Sequence, residues 1–307
     1  MSCLAKDNKG ESATDLFAAA KAATDIEQRA YRLRAHVRLQ LQTMLDGELI
    51  VDWNPPEQRR VEIRLPGYTE IRVLSHGQEW LSRPLAATPM RVMQALDMLK
   101  IWRGDIKGKY LKKIEDTSRD GRTLTCTTES FGGGFSKQIC FDALTHVRVS
   151  EEHRGEVVSR TEYDRFEPVG DKLYPRRMSL SEKKKVVVEV RVDKLEAAVA
   201  PEEAFAPLSN VQPRPACAEP TIAQVQHAPD PEYSTEARLK KIQGTVILGV
   251  TIGADGKVKS ASVLRSLDPS LDRQAANAVL GWQFRPAMCG NTPVPIENTI
   301  EVNFRLF

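Results

Sequence analysis

Gly244-Thr245-Val246-Ile247-Leu248-Gly249-Val250-Thr251-Ile252-Gly253, Ala254-Asp255-Gly256-Lys257 and Val258-Lys259-Ser260-Ala261-Ser262-Val263-Leu264-Arg265 follow one another without a break. They read as two strands joined by a tight turn. Asp255-Gly256 satisfies the positive φ angles of a type I′ loop, which fixes the hairpin. Working outward, Ser234 is placed to cap a short helix over Thr235–Lys241 that Gly244 ends. On the far side, Leu271–Leu280 reads as a helix with Ala275, Ala276, Val279 and Leu280 apolar. Trp282-Gln283-Phe284-Arg285-Pro286 leads into a loop holding Cys289, and Thr299–Leu306 reads as a last strand. The C-terminal ninety residues, 217–307, are expected to form one small α+β domain of two helices and three antiparallel strands.

Upstream, the composition changes. Pro201, Pro207, Pro213, Pro215 and Pro220 fall within 20 residues, a semi-rigid extended linker over 201–220. Before it lies a longer region with period two. Val37, Leu39 and Leu41, then Leu49, Val51 and Trp53, then Val61, Ile63 and Leu65 alternate with polar neighbours. Such runs mark antiparallel strands with one wet and one buried face. Asp46-Gly47, Asn54-Pro55-Pro56, Pro66-Gly67 and His76-Gly77 read as the turns between them. A helix is expected over Ala13–Tyr31 and another over Thr88–Ile101, the second with Met90, Met93, Leu96 and Leu99 on one stripe. Further strands follow to Val186–Val192, whose Val186, Val188, Val190 and Val192 face one way. About eleven strands with two helices over 13–200 cannot form a flat sheet covered on one whole face, so the sheet must curl. A half-barrel follows, either filled by side chains or open as an apolar cavity. Leu39, Val51, Trp53, Ile63, Met90, Met93 and Leu96 are the residues that would line such a cavity.

Five cysteines occur, Cys3, Cys126, Cys140, Cys217 and Cys289. Gly133 is the midpoint of Cys126 and Cys140 and the centre of a glycine-rich hairpin, so a symmetric hairpin sets the two thiols directly opposite each other. Cys217 and Cys289 flank the C-terminal domain and could bridge its start to a late loop. Two disulfides point to an oxidising compartment such as a periplasm; buried free thiols are the alternative. Cys3 reads either as a free thiol or as the remnant of a lipidation site.

The 307 residues carry 44 Lys and Arg against 41 Asp and Glu. From Cys217 onward the count is nine against nine, and neither half has the basic excess of a nucleic-acid binder. No apolar run approaches a membrane span and no secretory h-region is present in Met1–Gly10. His36, His76, His146, His153 and His227 form no HxxxH or HExxH pattern, and GxSxG, Walker A and GxGxxG are absent. No metal, cofactor or catalytic residue is expected.

Residues 217–307 resemble the TonB C-terminal domain in Tyr233, Gly244, Val246, Asp255, Gly256, Leu271, Asp272, Trp282, Phe284 and Pro286, in that order. Ser234 stands where the family usually has Pro. The resemblance implies a last strand exposed as a sheet edge that pairs with the TonB box of an outer-membrane transporter. Carried over, the partner-binding residues are Thr299, Ile300, Glu301, Val302, Asn303, Phe304, Arg305 and Leu306, with Pro231, Glu232 and Tyr233 beside them. Proline at Val302 is expected to abolish such pairing. The edge could instead be capped within the protein or pair in a dimer. The anchor helix and long spacer of a complete energy transducer are not visible.

Residues 13–200 are similar in architecture to bacterial lipoprotein carriers of the LolA/LolB type. The likeness rests on the order of elements, on Gly47-Glu48-Leu49-Ile50-Val51-Asp52-Trp53 and Arg59-Arg60-Val61-Glu62, and on Phe166-Glu167-Pro168-Val169-Gly170-Asp171-Lys172-Leu173-Tyr174-Pro175. It implies a periplasmic half-barrel that takes up a lipid or lipoprotein acyl chain.

Overall fold

The computed structural model describes residues 12–41, 43–85, 87–101, 111–132, 135–155, 157–217 and 220–306. Cys3 and the Gly133-Gly134 turn lie outside them. In chain order the elements are α1 (Ala13–Thr24), β1 (Tyr31–Gln40), β2 (Met44–Asn54), β3 (Gln58–Leu65), β4 (Tyr68–Ser75), β5 (Gln78–Ser82) and α2 (Met90–Met98). There follow β6 (Leu111–Arg119), β7 (Arg122–Gly132), β8 (Phe135–Asp142), β9 (Arg148–Arg154), β10 (Ser159–Val169), β11 (Lys172–Glu182) and β12 (Lys185–Glu196). After a 3-10 turn at Glu202–Phe205 come β13 (Arg214–Pro215), β14 (Gln224–His227), α3 (Thr235–Leu239), β15 (Gly244–Ile252) and β16 (Val258–Arg265). The chain ends with α4 (Pro269–Leu280), β17 (Gln283–Arg285), β18 (Ala287–Cys289), β19 (Thr292–Val294) and β20 (Ile296–Phe304). The fold is α+β, and its contacts divide into two compact units, residues 1–66 with 94–204 and residues 67–93 with 205–307.

In the first unit ten strands adjoin in the order β3-β2-β1-β12-β11-β10-β9-β8-β7-β6, an open antiparallel array that does not close on itself, as a half-barrel requires. Register aligns the apolar alternation: Leu33 faces Val51, Leu49 faces Ile63, Val37 faces Val190 and Leu39 faces Val188. Leu16 and Ala20 of α1 pack on Ile139 and Phe141 of β8, with the Phe17 ring set edge-on to Phe141 at 5.1 Å. The opposite face is laced by charge pairs, among them Arg32 and Arg34 on Asp52 at 3.0 Å and Arg60 and Arg64 on Glu62. Burial would raise the Glu62 pKa, but hydrogen bonds from Arg60 and Arg64 outweigh it and hold the carboxyl below its usual range.

Several local expectations shift. The first helix ends at Thr24, because the Asp25 carboxylate accepts the Glu27 N–H at 3.0 Å and turns the chain. Asp46-Gly47 is not a turn but lies inside β2, where Gly47 pairs with Val37; the chain reverses where the Leu41 N–H meets the Thr43 carbonyl. A Cβ at Gly47 would stand 2.1 Å from the Arg64 carbonyl oxygen, so glycine serves close strand approach there. A bulge between Leu180 and Ser181 shifts the β11–β12 register, exposing Val186 and burying Val187.

Candidate functional site

The second unit builds its sheet in the order β16-β15-β20. Central β15 is apolar because Val246, Leu248, Val250 and Ile252 meet Leu271, Ala275 and Val279 of α4 and Ile300, Val302 and Phe304 of β20 in one core. Asp268 caps α4 by accepting the Ser270 and Leu271 N–H groups, and Pro269 occupies its first turn. Ser234 caps α3, accepting from the Ala237 N–H at 3.1 Å and bonding Ser270 Oγ at 2.7 Å, which accounts for a hydroxyl at that position. The hairpin is right but its turn is not type I′. Gly253 and Lys257 close a loop of three residues with only Gly256 at positive φ, +75°. Gly256 is obligatory twice over, since an added Cβ would meet the Phe284 carbonyl oxygen at 1.9 Å.

β20 runs antiparallel to β15 from Gly244 opposite Phe304 to Ile252 opposite Ile296. Ile300, Val302 and Phe304 are buried at 7%, 4% and 2% exposure, while Thr299, Glu301, Asn303 and Arg305 are exposed. The backbone has its own alternation. The Thr299 N–H donates to the Asn298 side-chain oxygen at 2.8 Å. It therefore points away from β15, and with period two so do the N–H groups of Glu301 and Asn303. Those of Ile300, Val302 and Phe304 point into the β15 ladder. Among the described residues no strand pairs with the other side of β20. Arg305 lies just past its end, and the Leu306 N–H is held by Gln243 at 2.9 Å.

Pro231 and Glu232 lie on the surface before α3, half-buried and exposed respectively. Tyr233 is committed elsewhere. Its ring stands edge-on to Phe304 at 5.5 Å, its hydroxyl donates to the Ile242 carbonyl, and Arg238 lies over its face at 5.7 Å.

The start of β20 is tied down by side chains that the sequence pattern places on a wet face. Arg83 donates to the Glu297 carboxylate at 2.9 Å, with Arg72 at 3.7 Å and Arg214 at 3.9 Å. Arg72 also holds Glu70 at 2.7 Å, and Glu70 accepts from Tyr68 at 2.5 Å and Thr88 at 2.8 Å. Burial opposes the Glu297 charge, yet Arg83, Arg72 and Arg214 together keep its pKa below the ordinary range. Burial, with Glu70 beside it, raises the Tyr68 pKa far above that of a free phenol. Arg214 and Pro215 of the proline-rich segment pair with Glu79 and Gln78 of β5, so this part of the segment is docked rather than free. Nothing in the residue pattern signals the cluster, because Glu70 and Arg72 alternate with apolar residues as any solvent-facing pair would.

Both disulfides are formed. Cys126 and Cys140 are register partners on β7 and β8, and Cys217 bridges to Cys289 at the end of β18. Of the residues proposed for a cavity, Leu39, Val51 and Ile63 are buried at 0–1% exposure. Trp53, at 9%, donates through its indole N–H to the Glu27 carbonyl. Met90, Met93 and Leu96 are half-buried, since α2 turns Val92, Ala95 and Met98 inward instead. His227 is exposed on β14. Among the described residues no three His, Cys, Asp or Glu side chains are grouped to hold a metal ion, and no helix is long and apolar enough to cross a membrane.

The chain is similar in structure to a LolA superfamily protein from Nitrosomonas europaea, at 13% identity and TM-score 0.42, over 64% of this chain and 99% of that one. It is similar to a putative outer membrane lipoprotein-sorting protein domain from Vibrio parahaemolyticus, at 11% identity and TM-score 0.40, over 62% and 94%. A DUF1329 family protein from Desulfovibrio piger gives 12% and 0.42, over 64% and 97%. A search of curated proteins gives no match. Residues 229–306 match the family model described as Gram-negative bacterial TonB protein C-terminal. Those residues, which carry the three-stranded sheet with β20 at its margin, are thus similar to the TonB C-terminal domain.

Proposed function

We propose that the chain is a non-enzymatic periplasmic protein that binds an outer-membrane transporter by strand addition to β20, in TonB-dependent transport. The observation that carries the reading is the alternation along β20. Thr299, Glu301 and Asn303 expose their side chains, and strand alternation turns the Glu301 and Asn303 N–H groups outward like that of Thr299, which Asn298 holds, while the residues between them anchor the strand in the core. Backbone pairing at such an edge gives affinity, and side chains on the added strand give selectivity. Glu297 is engaged by three arginines, so the accessible run begins at Thr299. Two disulfides suit an oxidising compartment.

Titrating a fluorescent transporter TonB-box peptide into the intact, oxidised chain tests the proposal. Saturable one-to-one binding is expected. Absence of binding, with a concentration-dependent dimer that E301P disperses, would instead assign the edge to self-association.

A further inference from the structure

On the outward side of β10, β11 and β12 the register sets arginine against arginine. Arg177 of β11 is the direct partner of Arg191 on β12, which in turn faces His36 on β1. Buried Met178 follows Arg177, and buried Val190 and Val192 flank Arg191, so both guanidinium groups stand on the face away from the apolar side. Like charges directly opposite across antiparallel strands are destabilising. Arg177 is relieved by Glu189 at 3.2 Å, but Glu189 also serves Arg38 at 3.7 Å. Among the described residues neither Arg191 nor Arg165 has an ion pair or a side-chain hydrogen bond. Arg165 on β10 carries a second cost at the same place, a φ of +54° in the left-handed region that long side chains avoid.

These side chains line one groove of about 400 Å³ with Arg176, Lys194, Glu167 and Asp193. Five cations line it with two carboxylates; Arg176 holds Glu167 and Lys194 holds Glu196, each at 2.8 Å, which leaves Arg165 and Arg191 as the guanidinium groups without a carboxylate among the described residues. Local repulsion and backbone strain thus converge on a concave surface with surplus guanidinium donors. Guanidinium forks match phosphate oxygens two at a time, and several forks around one dianion remove the repulsion between them.

We propose that this groove is a binding site for a phosphate-bearing ligand, with Arg165, Arg177 and Arg191 as its donors. The site lies wholly in the first unit and does not depend on the β20 reading. It differs from the apolar face of the half-barrel in both location and chemistry. Its ligand is a soluble phosphate compound or the phosphate of a lipid headgroup, and the two are separable by experiment.

Inorganic pyrophosphate and, in a parallel arm, phosphatidylglycerol vesicles in phosphatidylcholine are titrated at low ionic strength against the intact chain, the R177Q/R191Q double variant and R165Q. At least one probe is expected to bind saturably, with affinity falling about tenfold or more in the double variant and rising salt weakening it. Without a probe the double variant should be at least as stable as the parent, because a like-charge pair is gone; with the binding probe only the parent should gain Tm. Pyrophosphate alone binding identifies a soluble ligand, and vesicles alone binding identifies a membrane headgroup. Failure of both probes, or equal affinity for parent and double variant, overturns the proposal.

Discussion

Replacing Glu301 by proline separates the outward hydrogen bonding of β20 from its inward packing. The Glu301 N–H points away from β15 by the same alternation that turns the Thr299 N–H onto Asn298. Its side chain is exposed, so no core contact is lost. Proline is tolerated at an edge strand where the missing N–H faces solvent, and E301P should fold with Tm close to the parent. An added strand loses one donor, about 1 kcal/mol, and meets the pyrrolidine ring where its own carbonyl must approach. Together these should exceed about 1.4 kcal/mol, a tenfold loss of affinity. Fluorescence anisotropy with a TonB-box peptide reads the affinity, and circular dichroism reads Tm. V302P is the contrasting control. It strikes a residue at 4% exposure whose N–H points into the β15 ladder, so it should lower Tm sharply. Unchanged peptide affinity in a stably folded E301P would refute the reasoning.

Glu297 supplies a pH test. Its folded pKa is depressed, so its contribution is full above the ordinary glutamate value of about 4.3 and is lost as pH falls through the lower folded value. E297Q should cost about 1–3 kcal/mol at neutral pH, and urea midpoints of parent and variant should converge as pH drops; a pH-independent gap would contradict the arginine cluster's role. Replacing Cys217 and Cys289 by serine reopens a loop with sequence separation 72 and should cost about 4.5 kcal/mol in denaturant unfolding; an unmoved midpoint would show that the bridge constrains nothing. G256A must relieve a 1.9 Å contact with the Phe284 carbonyl at a φ of +75°. A loss of about 1–3 kcal/mol is expected, and a thermal melt matching the parent would disprove the steric reading.

Strand periodicity was legible where one face is apolar and the turn is short. The β15–β16 hairpin, the inward set of β1 to β3 and the Cys126–Cys140 pairing all follow from spacing alone. Errors cluster where side-chain chemistry overrides pattern. Asp25 ends α1 with its own carboxylate, Gly47 serves close packing rather than a turn, and one bulge re-faces Val186 and Val187. The larger gap concerns the charged faces. Asp52, Glu62 and Glu70 alternate like solvent-facing residues, yet arginines from neighbouring positions let each be buried. Periodicity reports polarity, not partnership, and so could not reveal the Glu297 cluster or the docking of Arg214 on β5. For the candidate site, the edge strand was readable from family-like residues, but Tyr233 was not. Its part in packing against Phe304 emerges only from three dimensions. Which of Glu301 and Val302 suits a proline test is likewise not legible, since the direction of an N–H is invisible in sequence.

Residue-resolved amide hydrogen exchange on the intact chain, with and without a TonB-box peptide, tests strand addition most directly. Protection should rise selectively at Glu301 and Asn303, while Thr299 is already held by Asn298 and Ile300 and Val302 by β15 in the free protein. Unchanged exchange at Glu301 and Asn303 under saturating peptide would contradict strand addition at β20.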